Sequence, residues 1–443
     1  MRENLLHEDL LHYVWRFDRF DRQALTTTQG EPVQILELGH YNRHSGPDFL
    51  NARIRIGDTL WVGNVEMHLY ASEWEAHRHT ADPAYQNVIL HVVLDEDVPV
   101  ISRLGERIPC VELRKRIPAG LSSMYQRLLH SAHWVPCQHQ LYTVPGITRS
   151  LWLDRLMIER LEKRTLRWAE RLEANAGDWE ETFYQALAQG LGGHVNAQPF
   201  ELLARSLPLG LLLRYRHSRF QMEALLFGQA GLLSEHFEDE YPSRLLKEYR
   251  FLRQKHELTP LPEGMWKFMR MRPANFPTIR VAQLAALLHQ SGALFGKALV
   301  AANLTEVEHM FEVKLSNYWQ DHYTFGKVAD HKPKALGRSA IHLLVINTLA
   351  PMLFLYGKRQ GDERHQSRAL ALLEETPAEH NAIIQEWNRL GLSAASAYHS
   401  QALLELKNNY CDQKRCLHCA IGSAIVGQAG ASAEEPAAAT SPA

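Results

Sequence analysis

The sequence predicts a mixed α+β protein, with a small N-terminal α/β domain over residues 1–140 and a larger all-α domain over 146–425. Three observations carry this. Short apolar runs of strand character crowd the first 115 residues. From about residue 148 the apolar positions recur at helical spacing, beginning with Leu151, Leu153, Leu156, Met157 and Leu161. The junctions between these periodic runs carry Pro and Gly.

In order along the chain, residues 3–17 read as an amphipathic helix with Leu6, Leu10, Leu11, Val14 and Trp15 on one face. Residues 33–38 read as a strand. Residues 49–56 alternate through Phe49, Ala52, Ile54 and Ile56, and Gly57-Asp58 is a turn signal before a second strand over 60–69. That pair predicts a hairpin. Residues 72–80 suit a short helix or loop, 86–94 a strand apolar enough to be buried on both faces, and 98–115 a further strand pair. Helices are then predicted over 150–174, 179–191, 198–215, 219–233, 242–256, 279–290, 338–356, 365–374, 377–390 and 398–407. The Ala/Ser/Glu/Pro-rich tail over 427–443 predicts disorder, and no internal repeat is present.

The chain has 443 residues, enough for two or three domains, and its 45% hydrophobic and 22% charged residues are ordinary for a globular protein. No run of eighteen apolar residues predicts a membrane span, and the first residues lack the apolar core of a signal peptide, so a cytoplasmic location is expected. Five cysteines are too few for a disulfide framework at this length. The net charge of −2 excludes a wholly basic polyanion binder. Locally, however, residues 241–280 hold nine Lys/Arg against three acids. Among them, Arg250, Arg253, Lys267, Arg270, Arg272 and Arg280 are candidates for nucleic-acid phosphate, interleaved with Trp266 and Phe268. No P-loop, dinucleotide fingerprint or kinase motif occurs.

The segment from Gly46 to His68 holds G-P-D-F-L-N-A, the turn, then G-N-V-E-M-H. Across the predicted hairpin, Asp48 near one end meets Glu66 near the other, and alternation puts Glu66 and His68 on one face. Two carboxylates on adjacent strand ends suit Mg²⁺ or Mn²⁺, which activates water and offsets phosphodiester charge. His68 can orient or deprotonate that water, and Glu8 on the preceding helix offers a further carboxylate. Histidines crowd this region: His40, His44, His68, His77, His79 and His91.

Helix, strand, Asp strand, Glu-x-His strand, short helix and strand resemble the PD-(D/E)XK nuclease core over about residues 1–115, with His68 where that family has Lys. The resemblance implies a metal-dependent nuclease acting on DNA or RNA. Two alternatives stand beside it. One is a non-catalytic nucleic-acid-binding or scaffold protein on a decayed nuclease fold, which the missing Lys favours. The other is a zinc-dependent hydrolase using His77 and His79.

Near the C-terminus Cys411, Cys416 and Cys419 form C-x4-C-x2-C, a spacing suited to Zn²⁺ or an iron–sulfur cluster, with Cys137, Cys110 or His418 as fourth ligand. Taking Cys137 would staple two distant parts of the chain, as in some RecB- and Cas4-like nucleases whose cysteine spacing differs. Over residues 3–425, the motifs above with E-A-L-L-F-G-Q-A-G, R-P-A-N-F-P-T-I-R and C-L-H-C-A-I-G resemble a bacterial family known only as a domain of unknown function.

Overall fold

The computed structural model describes residues 7–233 and 237–431. The start of the predicted first helix and residues 432–443 of the predicted tail lie outside the described residues. The chain divides into two compact units, one of residues 1–154 with 405–443, the other of residues 155–404. The C-terminal segment, grouped by sequence with the helical domain, thus belongs with the N-terminal sheet.

The first unit opens with helix α1 (Glu8–Arg16), whose Leu10, Leu11, Val14 and Trp15 are buried. A mixed sheet follows: β1 (Val33–Glu37), β2 (His40–Tyr41), β3 (Phe49–Ile56), β4 (Thr59–Tyr70), β5 (Val88–Asp95) and β6 (Cys110–Glu112). The strand order is β1-β3-β4-β5-β6, with β2 also paired to β3. β3 and β4 form the antiparallel hairpin across Gly57-Asp58, running from Ile56↔Thr59 to Phe49↔Val65. β4 pairs parallel with β5, and β5 with β6. The almost wholly buried β5 is therefore internal, which explains its unbroken apolar sequence. Between β4 and β5 lie a one-turn helix, α2 (Glu73–Ala76), and short 3₁₀ turns at His79–Ala81 and Pro83–Tyr85. The predicted second strand within 98–115 is reduced to an isolated bridge between Ile101 and Arg107. Helix α3 (Ala119–Leu129), unpredicted, follows, and helix Ala420–Ala431 occupies the first residues of what sequence suggested was a disordered tail.

The second unit is mostly helical among its described residues and carries a short hairpin, His322–Thr324 with Lys327–Val328. Helix Pro277–Gln290 is buried along nearly its whole length and forms its core. The helix predicted over 198–215 breaks at Pro208 into Gly193–Ser206 and Leu209–Leu213. The helix predicted over 338–356 runs from Arg338 to Gln360 with a wider π turn at Val345–Leu349, just ahead of Pro351. The Ile346 carbonyl in that turn accepts the Arg164 guanidinium at 3.2 Å. By length and composition this helix is apolar enough to cross a membrane, and 72% of its most apolar window is buried within the structure.

Candidate functional site

The hairpin register places Asp48, just before β3, opposite Glu66 on β4. The Asp48 amide donates to Glu66 Oε2 at 3.1 Å, and the Met67 amide donates to Asp48 Oδ2 at 3.0 Å. From α1, His12 reaches Asp48 Oδ2 with its Nε2 at 3.2 Å. Glu8 lies one turn earlier on that helix, half-buried and electrostatically in range of His12 and Asp48.

Two residues along β4, His68 shares the Glu66 face, its Nε2 3.7 Å from Glu66 Oε1. The parallel register sets His91 of β5 beside Glu66, and His91 Nε2 reaches to 2.8 Å from His68 Nδ1. The chain then doubles back through α2, and Arg78 takes a left-handed conformation, φ 61°, between two further histidines. His77 Nδ1 comes to 3.2 Å from His68 Nε2, and His79 Nε2 to 3.3 Å from Glu66 Oε1. The Trp74 indole holds this return loop by donating to Thr80 Oγ1 at 2.9 Å, and Tyr85 stacks on His79 with ring centroids 3.8 Å apart.

One ligand nitrogen from each of His68, His77 and His79 lies within 4.8 Å of the other two, close enough for one metal ion. Among the described residues this is the one such group of three His, Cys, Asp or Glu. Imidazole suits zinc, iron, nickel or copper better than magnesium.

The protonation states agree with that donor set. Burial, then the Asp48 charge, pushes the Glu66 carboxyl up to about 9. Burial, then His91, His79 and His77, pushes His68 down to about 2, and burial with His79 pushes His91 down to about 3. Burial also lowers His79. Burial opposes protonation of His12, but the hydrogen bond and charge of Asp48 outweigh it and its pKa rises. Burial raises that of Glu8. His68 is thus a neutral imidazole and lacks the charge of the lysine whose place it was expected to take. A neutral imidazole is instead the form that ligates metal.

A cavity of about 670 Å³ opens beside His79, lined also by Trp61, Tyr85, Arg103 and Arg107. Trp61 is 40% exposed although it sits on a strand.

The basic candidates all lie in the second unit. Arg250 and Arg253 are exposed on helix Glu240–Lys255, and Lys267 is exposed in a loop. Arg270, Arg272 and Arg280 line a cavity of about 450 Å³ together with His194. Arg280 is bound to Asn275 and Gln283 at 2.7 and 2.9 Å, and burial lowers its pKa to about 10. Trp266, read with these residues, is buried and donates to the Ala230 carbonyl at 2.7 Å.

Cys137, Cys411, Cys416 and Cys419 gather in the first unit, their thiols close enough to raise one another's pKa. The other fourth-ligand candidates are engaged elsewhere. Cys110 packs in an apolar cluster with Trp74 and Val93, and His418 faces Asp9 at 3.5 Å.

His12 was missed in the sequence. Its only signal is its place one turn after Glu8, which acquires meaning once α1 is docked on the sheet. The family described as "Protein of unknown function (DUF2851)" matches residues 8–382 of the chain. No curated protein and no solved structure matches it.

Proposed function

The chain belongs to that family, and we propose that it is a metal-dependent hydrolase of phosphodiester bonds in nucleic acid. The observation that carries the reading is the meeting of three imidazoles, His68, His77 and His79, with the buried carboxyl of Glu66 and, through it, Asp48. Mn²⁺ or Zn²⁺ fits this donor set better than Mg²⁺. A divalent ion bound there supplies a Lewis acid and a water activated near neutral pH. The chain's own residues do the rest. His91 fixes the orientation of His68, Asp48 fixes Glu66 through the backbone, and His12 with Asp48 forms an acid–base pair at the edge of the site.

Support for a nucleic-acid substrate comes from the neighbouring cavity, where Trp61 and Tyr85 offer faces for a base and Arg103 offers charge for a phosphate. The order of elements around Asp48 and Glu66, similar to the PD-(D/E)XK core, supports the same substrate class. In that comparison His68 contributes a ligand rather than a cationic clamp.

A second reading, a zinc hydrolase of small molecules, rests on the same three histidines. Cleavage of single- and double-stranded DNA and RNA with Mn²⁺, Zn²⁺ or Mg²⁺ tests the proposal. Activity is expected with Mn²⁺ or Zn²⁺ and lost in Asp48→Ala and Glu66→Ala. Cleavage undiminished in both variants overturns the assignment. Metal binding with no polynucleotide cleavage, alongside turnover of small esters, favours the second reading.

A further inference from the structure

We propose that Cys137, Cys411, Cys416 and Cys419 hold an iron–sulfur cluster, a second metal site independent of the histidine site. Cys137 lies 274 positions before Cys411, the first of the other three, and none of the four is disulfide-bonded. Three are buried and Cys411 is half-buried. Burial of four thiols in one place is unfavourable for their charged forms unless a cation compensates them.

The loop that carries three of them is fixed by its backbone. The Lys414 amide donates to the Cys411 carbonyl at 3.1 Å, with Lys414 left-handed at φ 51°, and the Arg415 amide donates to the Tyr410 carbonyl at 2.9 Å. The Cys419 amide closes onto the Cys416 carbonyl at 3.3 Å. The following helix starts so close to this loop that a Cβ on Gly422 would meet the Cys416 carbonyl oxygen at 2.3 Å. Cys419 directly precedes that helix, and the Gly422 and Ile421 backbone N–H groups at its start favour the thiolate form of Cys419. A neutral thiol is a weak acceptor, whereas a ligating thiolate is oriented and stabilised by such donors.

Spacing separates the two metal chemistries. Tetrahedral zinc with Zn–S bonds of about 2.3 Å draws its sulfurs to about 3.8 Å from one another. Among the described residues, no three of these thiols come within 4.8 Å of each other, although the histidine trio does. The thiols are in electrostatic range of one another but, as a group, set wider than the sulfurs of a tetrahedral zinc site. A cluster carries its own iron and sulfide between the thiolates and so fills a wider setting. Its structural effect is to join the segment after α3 to the C-terminal loop within the first unit.

The test is iron, acid-labile sulfide and zinc analysis of the full chain, purified without oxygen, with its visible spectrum. Brown protein with iron and sulfide in about equal amounts is expected. Cys137→Ser and Cys416→Ser are expected to lose the colour and most of the iron. Cys110→Ser, the control for a buried cysteine outside the site, is expected to keep both. Colourless folded protein, whether with one zinc per chain or without metal, overturns the proposal, and so does Cys137→Ser with undiminished iron.

Discussion

Asp48 and Glu66 hold each other through the backbone: the Asp48 amide donates to the Glu66 carboxyl at 3.1 Å, while the Asp48 carboxylate accepts the amide of Met67, the next residue after Glu66, at 3.0 Å. The two groups that head the candidate site are therefore also a clasp at the open end of the hairpin.

The clasp predicts a difference between two substitutions. Asp48→Ala leaves the Met67 amide without its acceptor and is expected to destabilise the metal-free protein by about 1–3 kcal/mol. Asp48→Asn keeps a carbonyl in that place and is expected to cost less. Urea unfolding of the two variants checks this, and equal stability rejects the clasp.

Metal affinity is expected to depend on both shells of histidines. His77 is exposed and makes a mild fold perturbation when removed, so His77→Ala is expected to weaken Mn²⁺ or Zn²⁺ binding at least about tenfold with the fold intact. His91→Ala, which frees the His68 ring held at 2.8 Å, is expected to weaken it by about 10–100-fold. Calorimetric titration reads both, and unchanged affinity in His77→Ala removes it from the ligand set.

Glu66, pushed up to about 9, holds its proton at pH 7, whereas His68, pushed down to about 2, has none to lose. Metal binding at Glu66 therefore displaces a proton, and the apparent affinity is expected to rise with pH up to about 9. Titrations in buffers of different ionisation enthalpy measure the released proton, and Glu66→Gln is expected to abolish the release.

In the second unit, burial pushes the Glu223 carboxyl up to about 8, and Tyr241 and Ser316 hydrogen-bond to it. The folded pKa lies above the unfolded one, so the folded state binds more protons between them. The stability this contributes is complete below about 4.5 and is lost as pH rises through about 8. Glu223→Gln removes the titration and is expected to gain on the wild type by on the order of 1–3 kcal/mol between pH 5 and pH 9. Thermal melts across that range check it, and a constant difference refutes it.

Helices Arg219–Gln229 and Glu240–Lys255 approach at Gly228, where an added Cβ would lie 2.0 Å from the Tyr249 ring. Gly228→Ala is expected to cost about 1–3 kcal/mol despite its better helix propensity. A denaturation midpoint at or above that of the wild type contradicts this packing.

Local periodicity made much of the fold readable. Strand Phe49–Ile56 falls where its alternation puts it, because it buries one face, and helix Trp179–Leu191 falls where its apolar run puts it. Helix Ala420–Ala431 escaped notice because A-I-G-S-A-I-V-G-Q-A-G-A has the glycine content of a linker. Burial of Ile421, Ile425 and Val426 outweighs that poor propensity.

The candidate site divides the same way. The sequence by itself determined the mixed α+β class, the hairpin at Gly57-Asp58 and, from its two-residue repeat, that Glu66 and His68 share a face near Asp48. Those relations are set within about twenty residues, where period and turn chemistry suffice. Only the tertiary structure decided that His12, His77 and His91 close on the same place, that burial holds His68 neutral and Glu66 protonated, and that Cys137 joins the cysteines 274 or more positions away. Desolvation and long-range convergence depend on what packs over a residue, and no local pattern of side chains records that.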